Sequence, residues 1–207
     1  MITIINYGMG NLGSIQNMLR KLGEDSIITS DVKEIEKATK IILPGVGSFD
    51  SGMQNLSRLG LIDILNIKVL VDKTPILGIC LGVQLMTKHS KEGSLLGLGW
   101  LDAETINFDL TGVIGNYKLP NMGWQIVNEE RSTILFHDMY PEARFYFLHT
   151  YHLATTSSKI ISLTSNYGYK YPVGLEMGNI MGVQFHPEKS HKFGMKLFQN
   201  FINIPHD

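Results

Sequence analysis

The sequence predicts an α/β fold: a mostly parallel central sheet flanked by helices, with an antiparallel β-rich flank in its second half. Two patterns carry the prediction. Through residues 1–87, short apolar runs alternate with helical patterns, the signature of a parallel sheet with helices on both faces. From residue 95 to 185 the strand-like runs come more often. Turn signals separate them at Gly112, Asn116, Pro120-Asn121, Asn166-Tyr167-Gly168 and Met177-Gly178-Asn179, as in an antiparallel flank or a small second sheet. No internal repeat, charged linker or low-complexity stretch interrupts the chain, so residues 1–207 are read as a single domain.

The elements follow in order. Residues 2–6 form a strand, and Gly8, Gly10 and Gly13 lead into a helix reaching about Leu22. Residues 26–29 make a weaker strand. Asp31 caps a short helix, with Glu34 as its capping-box partner. Residues 40–43 are a strand closed by the turn Pro44-Gly45-Val46-Gly47. Residues 49–70 are largely helical, with a break near Gly60. Residues 76–79 form a strand that delivers Cys80, and a helix runs from Leu81 to about Thr87. The last strand, residues 180–185, ends in His186-Pro187-Glu188-Lys189-Ser190, and a helix over 191–201 closes the chain.

Composition narrows the function classes. The 207 residues are 43% hydrophobic and 18% charged, enough apolar material for a core without disulfides. Eighteen basic against nineteen acidic residues give a net charge of −1, which argues against nucleic acid or an anionic membrane as partner. The single cysteine excludes an internal disulfide and a four-cysteine metal site, and it suits a reducing compartment. There is no signal-like N-terminus and no run of about 18 apolar residues, so a cytoplasmic location is expected. His149 and His152, three apart in a strand, are expected on opposite faces. No further ligands converge in sequence, and neither a metal nor a cofactor is called for. Gly8, Gly10 and Gly13 are interrupted by Met9 and Asn11, which is not the dinucleotide fingerprint.

Two segments carry chemistry. Cys80 lies in Gly78-Ile79-Cys80-Leu81-Gly82, where a buried strand enters a tight turn flanked by glycines. That is the form of a nucleophile elbow, with cysteine in place of serine. The glycines relieve crowding, and the amides opening the next helix favour a thiolate and a developing oxyanion. The alternative is a small buried hydrophobe, the commoner fate of a free cysteine. His186 falls just past a strand end with Glu188 two residues on, a base beside a group able to orient it. The alternative there is a solvated loop histidine. The order Cys, His, Glu, with the last two nearly adjacent, differs from the hydrolase order in which the acid precedes the histidine.

Together the segments resemble the triad-type class I glutamine amidotransferases. Residues 78–84 match the family's G-x-C-x-G-x-Q signature and residues 182–188 its G-x-Q-F-H-P-E signature. Residues 6–14, 43–49, 122–124, 146–151 and 186–190 are most similar to one branch, the glutaminase subunits of imidazole glycerol phosphate synthases. The resemblance spans the whole chain. It departs at Asn121 and Gln125, where the segment P-H-M-G-W-N is usual, and at Thr150, where serine is usual. Asn121 and Gln125 are expected near the partner-facing side, where they would bear on partner identity.

The resemblance implies an enzyme that hydrolyses L-glutamine through a cysteinyl thioester, with Cys80, His186 and Glu188 as triad. It implies an oxyanion device from Gly45, Val46, Gly47 and the Leu81 amide, though Pro-Gly alone reads as a strand-end turn. Gln84, one turn after Cys80, would grip the substrate; otherwise it is a solvated helical glutamine. His149, Thr150 and Tyr151 would hold the amino-acid end; otherwise His149 is a satisfied structural histidine. The implied partner is a barrel-shaped cyclase of histidine biosynthesis in a heterodimer, met by Trp124, Tyr146 and Lys189. The alternative for the two aromatics is the core. Two other readings stay open: a paralogous ammonia donor in a surface-sugar pathway, and a catalytically silent regulatory partner.

Overall fold

The computed structural model describes residues 1–205. Its first half runs β1 (Ile2–Ile5), α1 (Leu12–Lys21), β2 (Ser26–Thr29), α2 (Val32–Glu36), β3 (Lys40–Gly45), α3 (Phe49–Arg58), α4 (Leu61–Asn66), β4 (Ile76–Cys80) and α5 (Leu81–Leu85). The second half runs β5 (Glu104–Asn107), β6 (Asn121–Ile126), β7 (Asn128–Glu129), β8 (Arg144–His149), β9 (Tyr151–Ala154), β10 (Ile161–Tyr167), β11 (Tyr169–Met177), β12 (Ile180–Val183) and α6 (His191–Ile202).

Eight strands make one sheet in the order β2-β1-β3-β4-β12-β11-β10-β7. The pairs from β2 to β12 are parallel, and those joining β12, β11, β10 and β7 are antiparallel. Two antiparallel ribbons, β5–β9 and β6–β8, stand outside it. The second half therefore holds both an antiparallel flank and separate small sheets. Strands β1 and β4 are buried at every position, as central parallel strands covered on both faces must be. On one face Ile4, Ile42, Leu77 and Ile79 pack with Ile15 and Leu19 of α1 and Leu197, Phe198 and Phe201 of α6. On the other, Ile5, Leu43 and Ile76 pack with Phe49, Leu56, Leu61, Leu65 and Leu85 from α3, α4 and α5.

The expected break near Gly60 is present, while the ends of β3 and α5 differ from the sequence reading for local reasons. Gly60 takes the left-handed conformation (φ 66°) that separates α3 from α4, and only glycine adopts it without steric penalty. Strand β3 continues through Pro44 and Gly45, so Gly45 pairs with Cys80 instead of turning away. The Tyr7 hydroxyl donates to the Pro44 carbonyl at 2.6 Å and satisfies it there. Helix α5 stops at Leu85, short of Thr87. The Leu98 amide takes the Leu85 carbonyl at 2.8 Å and the Thr87 hydroxyl takes that of Gln84 at 2.7 Å, so the helical ladder ends. No helix among the described residues is long and apolar enough to cross a membrane.

Candidate active site

Strands β3, β4 and β12 lie side by side, and their carboxyl ends bring Gly45, Cys80 and the segment after Val183 to one edge of the sheet. Ligands in parallel α/β sheets bind at such edges. A pocket of about 270 Å³ opens here, lined among others by Cys80, Leu81, Gln84, His149, Thr150, Tyr151 and His186. That is below the roughly 300–1,000 Å³ of drug-sized sites and suits a single amino acid.

Cys80 is the last residue of β4 and holds φ 54°, ψ −113°. That is a strained conformation for a side chain, of the kind that clusters at functional sites. It turns the chain from strand directly into α5 and leaves Cys80 buried, 7% exposed, on the pocket. The positive-φ residue of the turn is Cys80 itself, and the flanking glycines relieve crowding as expected. They let α5 sit down on the sheet. A Cβ on Gly82 would fall 1.8 Å from the Leu43 carbonyl oxygen, one on Gly78 2.8 Å from Met86, and one on Gly182 2.2 Å from Val83. Gly45 has the same function, its Cβ position lying 2.7 Å from that of Leu81. Gly45 does not itself line the pocket, whereas Val46 and Gly47 do. Val46 is 43% exposed at the rim.

His186 leaves the end of β12 and is anchored at both backbone groups. Its amide donates to the Tyr146 carbonyl at 2.9 Å, and its carbonyl accepts from Ser190 Oγ at 2.6 Å. Its Nδ1 lies 2.7 Å from Glu188 Oε1, with both side chains almost fully buried. An ionised carboxylate only accepts, so Nδ1 carries the hydrogen and Nε2 is left for Cys80. Burial pulls the imidazole's pKa down, but hydrogen bonds to the Cys80 sulfur and Glu188, and then their charges, outweigh it and raise the group to about 10. Burial likewise pushes Glu188 up, and the hydrogen bond and charge of His186, with the Asn11 amide, bring it below the ordinary carboxylate range. Both shifts favour a charged imidazolium–carboxylate pair on the pocket that Cys80 also lines.

The remaining sequence-predicted residues divide clearly. Gln84 is buried, and its Nε2 donates to the Tyr151 carbonyl at 3.3 Å and to Gln184 Oε1 at 3.0 Å, so it is not a solvated helical residue. His149 is buried and satisfied at both ring nitrogens, yet it also lines the pocket. Burial is the main cause holding its pKa down at about 3, so it is neutral. Thr150 is exposed and Tyr151 half-buried on the pocket wall. Trp124 is 47% exposed and Lys189 exposed, with Tyr146 half-buried between them. Trp124 and Tyr146 are cross-strand neighbours with ring centres 6.2 Å apart, and Lys189 Nζ lies 5.5 Å over the Tyr146 ring. The two aromatics are therefore surface groups beside the site, not core.

Two expectations are corrected. Asn121 and Gln125 do not face outward: alternation along β6 turns Met122, Trp124 and Ile126 to solvent and buries Asn121 completely, with Gln125 half-buried. His149 and His152 do not face opposite ways. The chain breaks between β8 and β9 at Thr150, which resets the two-residue alternation, and both imidazoles pack on Phe108, at 5.4 and 4.5 Å. No group of three His, Cys, Asp or Glu side chains poised for a metal occurs among the described residues.

Four residues escaped sequence reasoning. Asn11 Nδ2 donates to Glu188 Oε1 at 2.9 Å, and Gln184 Nε2 to the Cys80 sulfur at 3.7 Å. Tyr7, behind Cys80, is pushed well above the ordinary phenol range by burial and then by the charge of Cys80. Glu92, whose Oε2 accepts from the Phe49 amide at 2.9 Å, is the one carboxylate lining the pocket. Tyr7, Asn11 and Gln184 lie inside the matched segments and could have been flagged. Glu92 sits in an irregular loop with no periodic signal.

Similarity to known proteins agrees with this geometry. A family model described as glutamine amidotransferase class-I matches residues 3–204. The chain is 54% identical over 202 residues to imidazole glycerol phosphate synthase subunit HisH 2 of Methanococcus maripaludis, covering 98% of each, and 40% identical to HisH 1 of that organism, covering 99% and 100%. It is 41% identical to subunit HisH 2 of Pseudomonas aeruginosa, covering 99% and 100%. A solved structure of a glutamine amidotransferase superposes with TM-score 0.74 at 16% identity, covering 98% of this chain and 97% of that one, a likeness of fold.

Proposed function

The chain belongs to the class I glutamine amidotransferases, and from that membership we propose that residues 1–207 act as one cytoplasmic glutaminase domain whose triad is Cys80, His186 and Glu188. The observation that carries the reading is that Cys80 and His186 line one pocket, with His186 Nδ1 bonded to the buried Glu188 and Glu188 in turn to Asn11. The thiolate attacks the side-chain carboxamide carbon of glutamine. His186 gives its Nε2 proton to the departing nitrogen, ammonia leaves, and a glutamyl thioester remains. The neutral imidazole then takes a proton from water, which attacks the thioester and releases glutamate and the thiolate. Glu188 holds the ring in the required tautomer throughout and supports its positive form. General acid–base assistance of this type is worth about 10² to 10⁴ in rate. The Leu81 amide, with an amide from Val46 or Gly47, supports the oxyanion.

Recognition follows from charge and shape. Glu92 faces the substrate's ammonium group, Thr150 and the backbone of Tyr151 meet its amino-acid end, and Gln84 braces that backbone. Ammonia released to bulk water would be lost, so a synthase must cover the site. The exposed Trp124, Tyr146 and Lys189 beside the pocket form an aromatic and cationic patch suited to a hot spot. The HisH names of the relatives support a cyclase partner of histidine biosynthesis, barrel-shaped in the resembling family. One observation favours a second reading of the pathway: the 54%-identical relative is numbered as the second of two HisH subunits in its organism. A second copy is free to feed another synthase, such as one in surface-sugar assembly.

The glutamine analogue 6-diazo-5-oxo-L-norleucine tests the chemistry. Covalent modification confined to Cys80, faster once the synthase is added, is expected. An unmodified Cys80 with and without synthase would sink the glutaminase reading. Growth without histidine in a strain lacking its own subunit separates the two pathways.

A further inference from the structure

Beneath the pocket wall lies a closed polar network the mechanism above does not use. Asn121, Tyr171 and His149 are buried, and Gln125 and Ser165 extend the chain of contacts. His149 Nδ1 lies 2.8 Å from the Tyr151 carbonyl. On its other side Nε2 lies 3.1 Å from Asn121 Nδ2 and 3.4 Å from the Tyr171 hydroxyl. Asn121 Nδ2 also reaches Tyr171 Oη at 3.1 Å, and Gln125 Nε2 donates to Asn121 Oδ1. Tyr171 and Ser165 each lie 3.2 Å from Gln125 Oε1.

The direction of every hydrogen follows from one end. A backbone carbonyl only accepts, so His149 Nδ1 carries a hydrogen. The buried ring is neutral, so Nε2 is a bare lone pair that needs a donor. Asn121 supplies it with one amide hydrogen and gives the other to Tyr171. The Asn121 oxygen then accepts from Gln125, whose own oxygen accepts from Tyr171. Reversing Asn121 would put an amide oxygen against the lone pair. Only the opposite tautomer relieves that clash, and it leaves two acceptors facing each other at Tyr151.

We infer that Asn121 is a positioning residue for substrate recognition: its amide fixes the His149 tautomer whose Nδ1–H holds the Tyr151 carbonyl, and with it the 149–151 wall of the pocket. The inference rests on the glutaminase reading for its substrate. Gln84 grips the same carbonyl from the Cys80 side, so the carbonyl is clamped between α5 and the buried network. A residue whose only role was filling space would leave the tautomer of His149 unchanged when replaced.

Nitrogen NMR of the imidazoles and inactivation by 6-diazo-5-oxo-L-norleucine test it together. The wild-type protein should show His149 as the neutral Nδ1–H tautomer. Asn121→Leu removes the donor without adding charge. It should shift His149 toward Nε2–H and raise the inactivator's half-saturating concentration by about five- to tenfold, one bidentate contact being loosened. The maximal inactivation rate, and alkylation by iodoacetamide, which has no amino-acid end, should stay within about twofold. Asn121→His combined with Gln125→Asn places a ring N–H where the amide was, without crowding it, and should return binding to near the parent value. A wild-type His149 in the Nε2–H or charged form overturns the inference, whether or not any variant folds. So does a folded Asn121→Leu that binds the inactivator normally. If the wild-type chain is not labelled at all, the glutaminase reading falls and the recognition role with it. Normal labelling with an unmoved Asn121→Leu removes the role alone.

Discussion

Gly82→Ala should damage this protein far more than a single methyl group suggests. Gly82 is the second residue of α5, and the added Cβ would stand 1.8 Å from the Leu43 carbonyl oxygen of β3, where real contacts stay beyond 3.0 Å. The obstacle is backbone on both sides, so no rotamer can absorb it, and α5 must lift by more than an ångström. Overpacking of this kind costs about 1–3 kcal/mol, and a backbone clash belongs at the upper end. For a chain of this size about 3 kcal/mol lowers the melting temperature by roughly 6–12 °C. The same lift moves the Leu81 amide and Gln84, for which a displacement near 1 Å costs about 10²-fold in rate. Gly13 provides the control. It lies in α1 with open space around its Cβ position and no positive φ, so Gly13→Ala should gain up to about 1 kcal/mol from helix propensity and lost chain freedom. Thermal melting, urea denaturation and the rate of Cys80 labelling measure both variants. A Gly82→Ala protein that melts within a degree or two of the parent and labels at the parent rate would refute the claim that α5 is seated by its missing side chains.

The remaining predictions concern charge and surface. His149, held near 3 against an ordinary 6.5 by burial, contributes stability fully above pH 6.5. It loses that stability as the unfolded chain takes up a proton at lower pH, by about 1.4 kcal/mol per unit. Between pH 7 and 5 the wild type should therefore lose about 2 kcal/mol more than His149→Gln, and parallel urea midpoints would contradict this. The raised pKa of His186 works in the other direction, with stability full below 6.5 and lost as pH rises toward about 10. Glu188→Gln removes the carboxylate charge that helps hold His186 protonated, so its pKa should fall. Iodoacetamide alkylation of Cys80 at neutral pH should then slow several-fold, and an unchanged pH–rate profile would count against the triad. Trp124→Ala should leave the urea midpoint within about 0.5 kcal/mol, as for other exposed positions. It should weaken synthase binding by about 2 kcal/mol, roughly thirtyfold in Kd, and calorimetry showing parental affinity would remove Trp124 from the interface.

How much was legible in the sequence follows from what kind of constraint each residue obeys. The parallel half reads well because buried strands and amphipathic helices repeat with fixed periods: Ile2–Ile5, Ile76–Cys80 and the Leu197, Phe198, Phe201 face of α6 all declare themselves. Cys80, His186 and Glu188 read well because a nucleophile at a strand end needs glycines around it and a base needs a neighbour to orient it. Strand ends read less well. That β3 runs on to Gly45 depends on Tyr7 reaching the Pro44 carbonyl from another strand, and α5 stops where the distant Leu98 amide arrives. Glu92 was invisible because its place in the pocket is set by the Phe49 amide, far away in sequence.

Asn121 and Gln125 show where pattern matching misleads. Read along the chain, each is an isolated departure in a segment whose Trp124 faces outward, and the natural inference places both at the partner surface. The pleat sends them the other way, because side chains an even number of residues apart share a face of β6 and Trp124 is odd-stepped from Asn121. Four residues apart on a twisted strand, they touch: Gln125 Nε2 donates to Asn121 Oδ1. Relative to the usual His and Asn, the first side chain is smaller and the second one methylene longer, so the longer residue reaches into space the shorter one vacates. Together Asn121 and Gln125 give His149 a donor and pair the Tyr171 hydroxyl. A buried polar network is stable only when its donors and acceptors are matched, as those of Asn121 and Gln125 are here. What distinguishes this chain from the usual pattern at these positions is therefore the wiring behind its pocket, and its outward face carries the usual Met122, Gly123 and Trp124 unchanged.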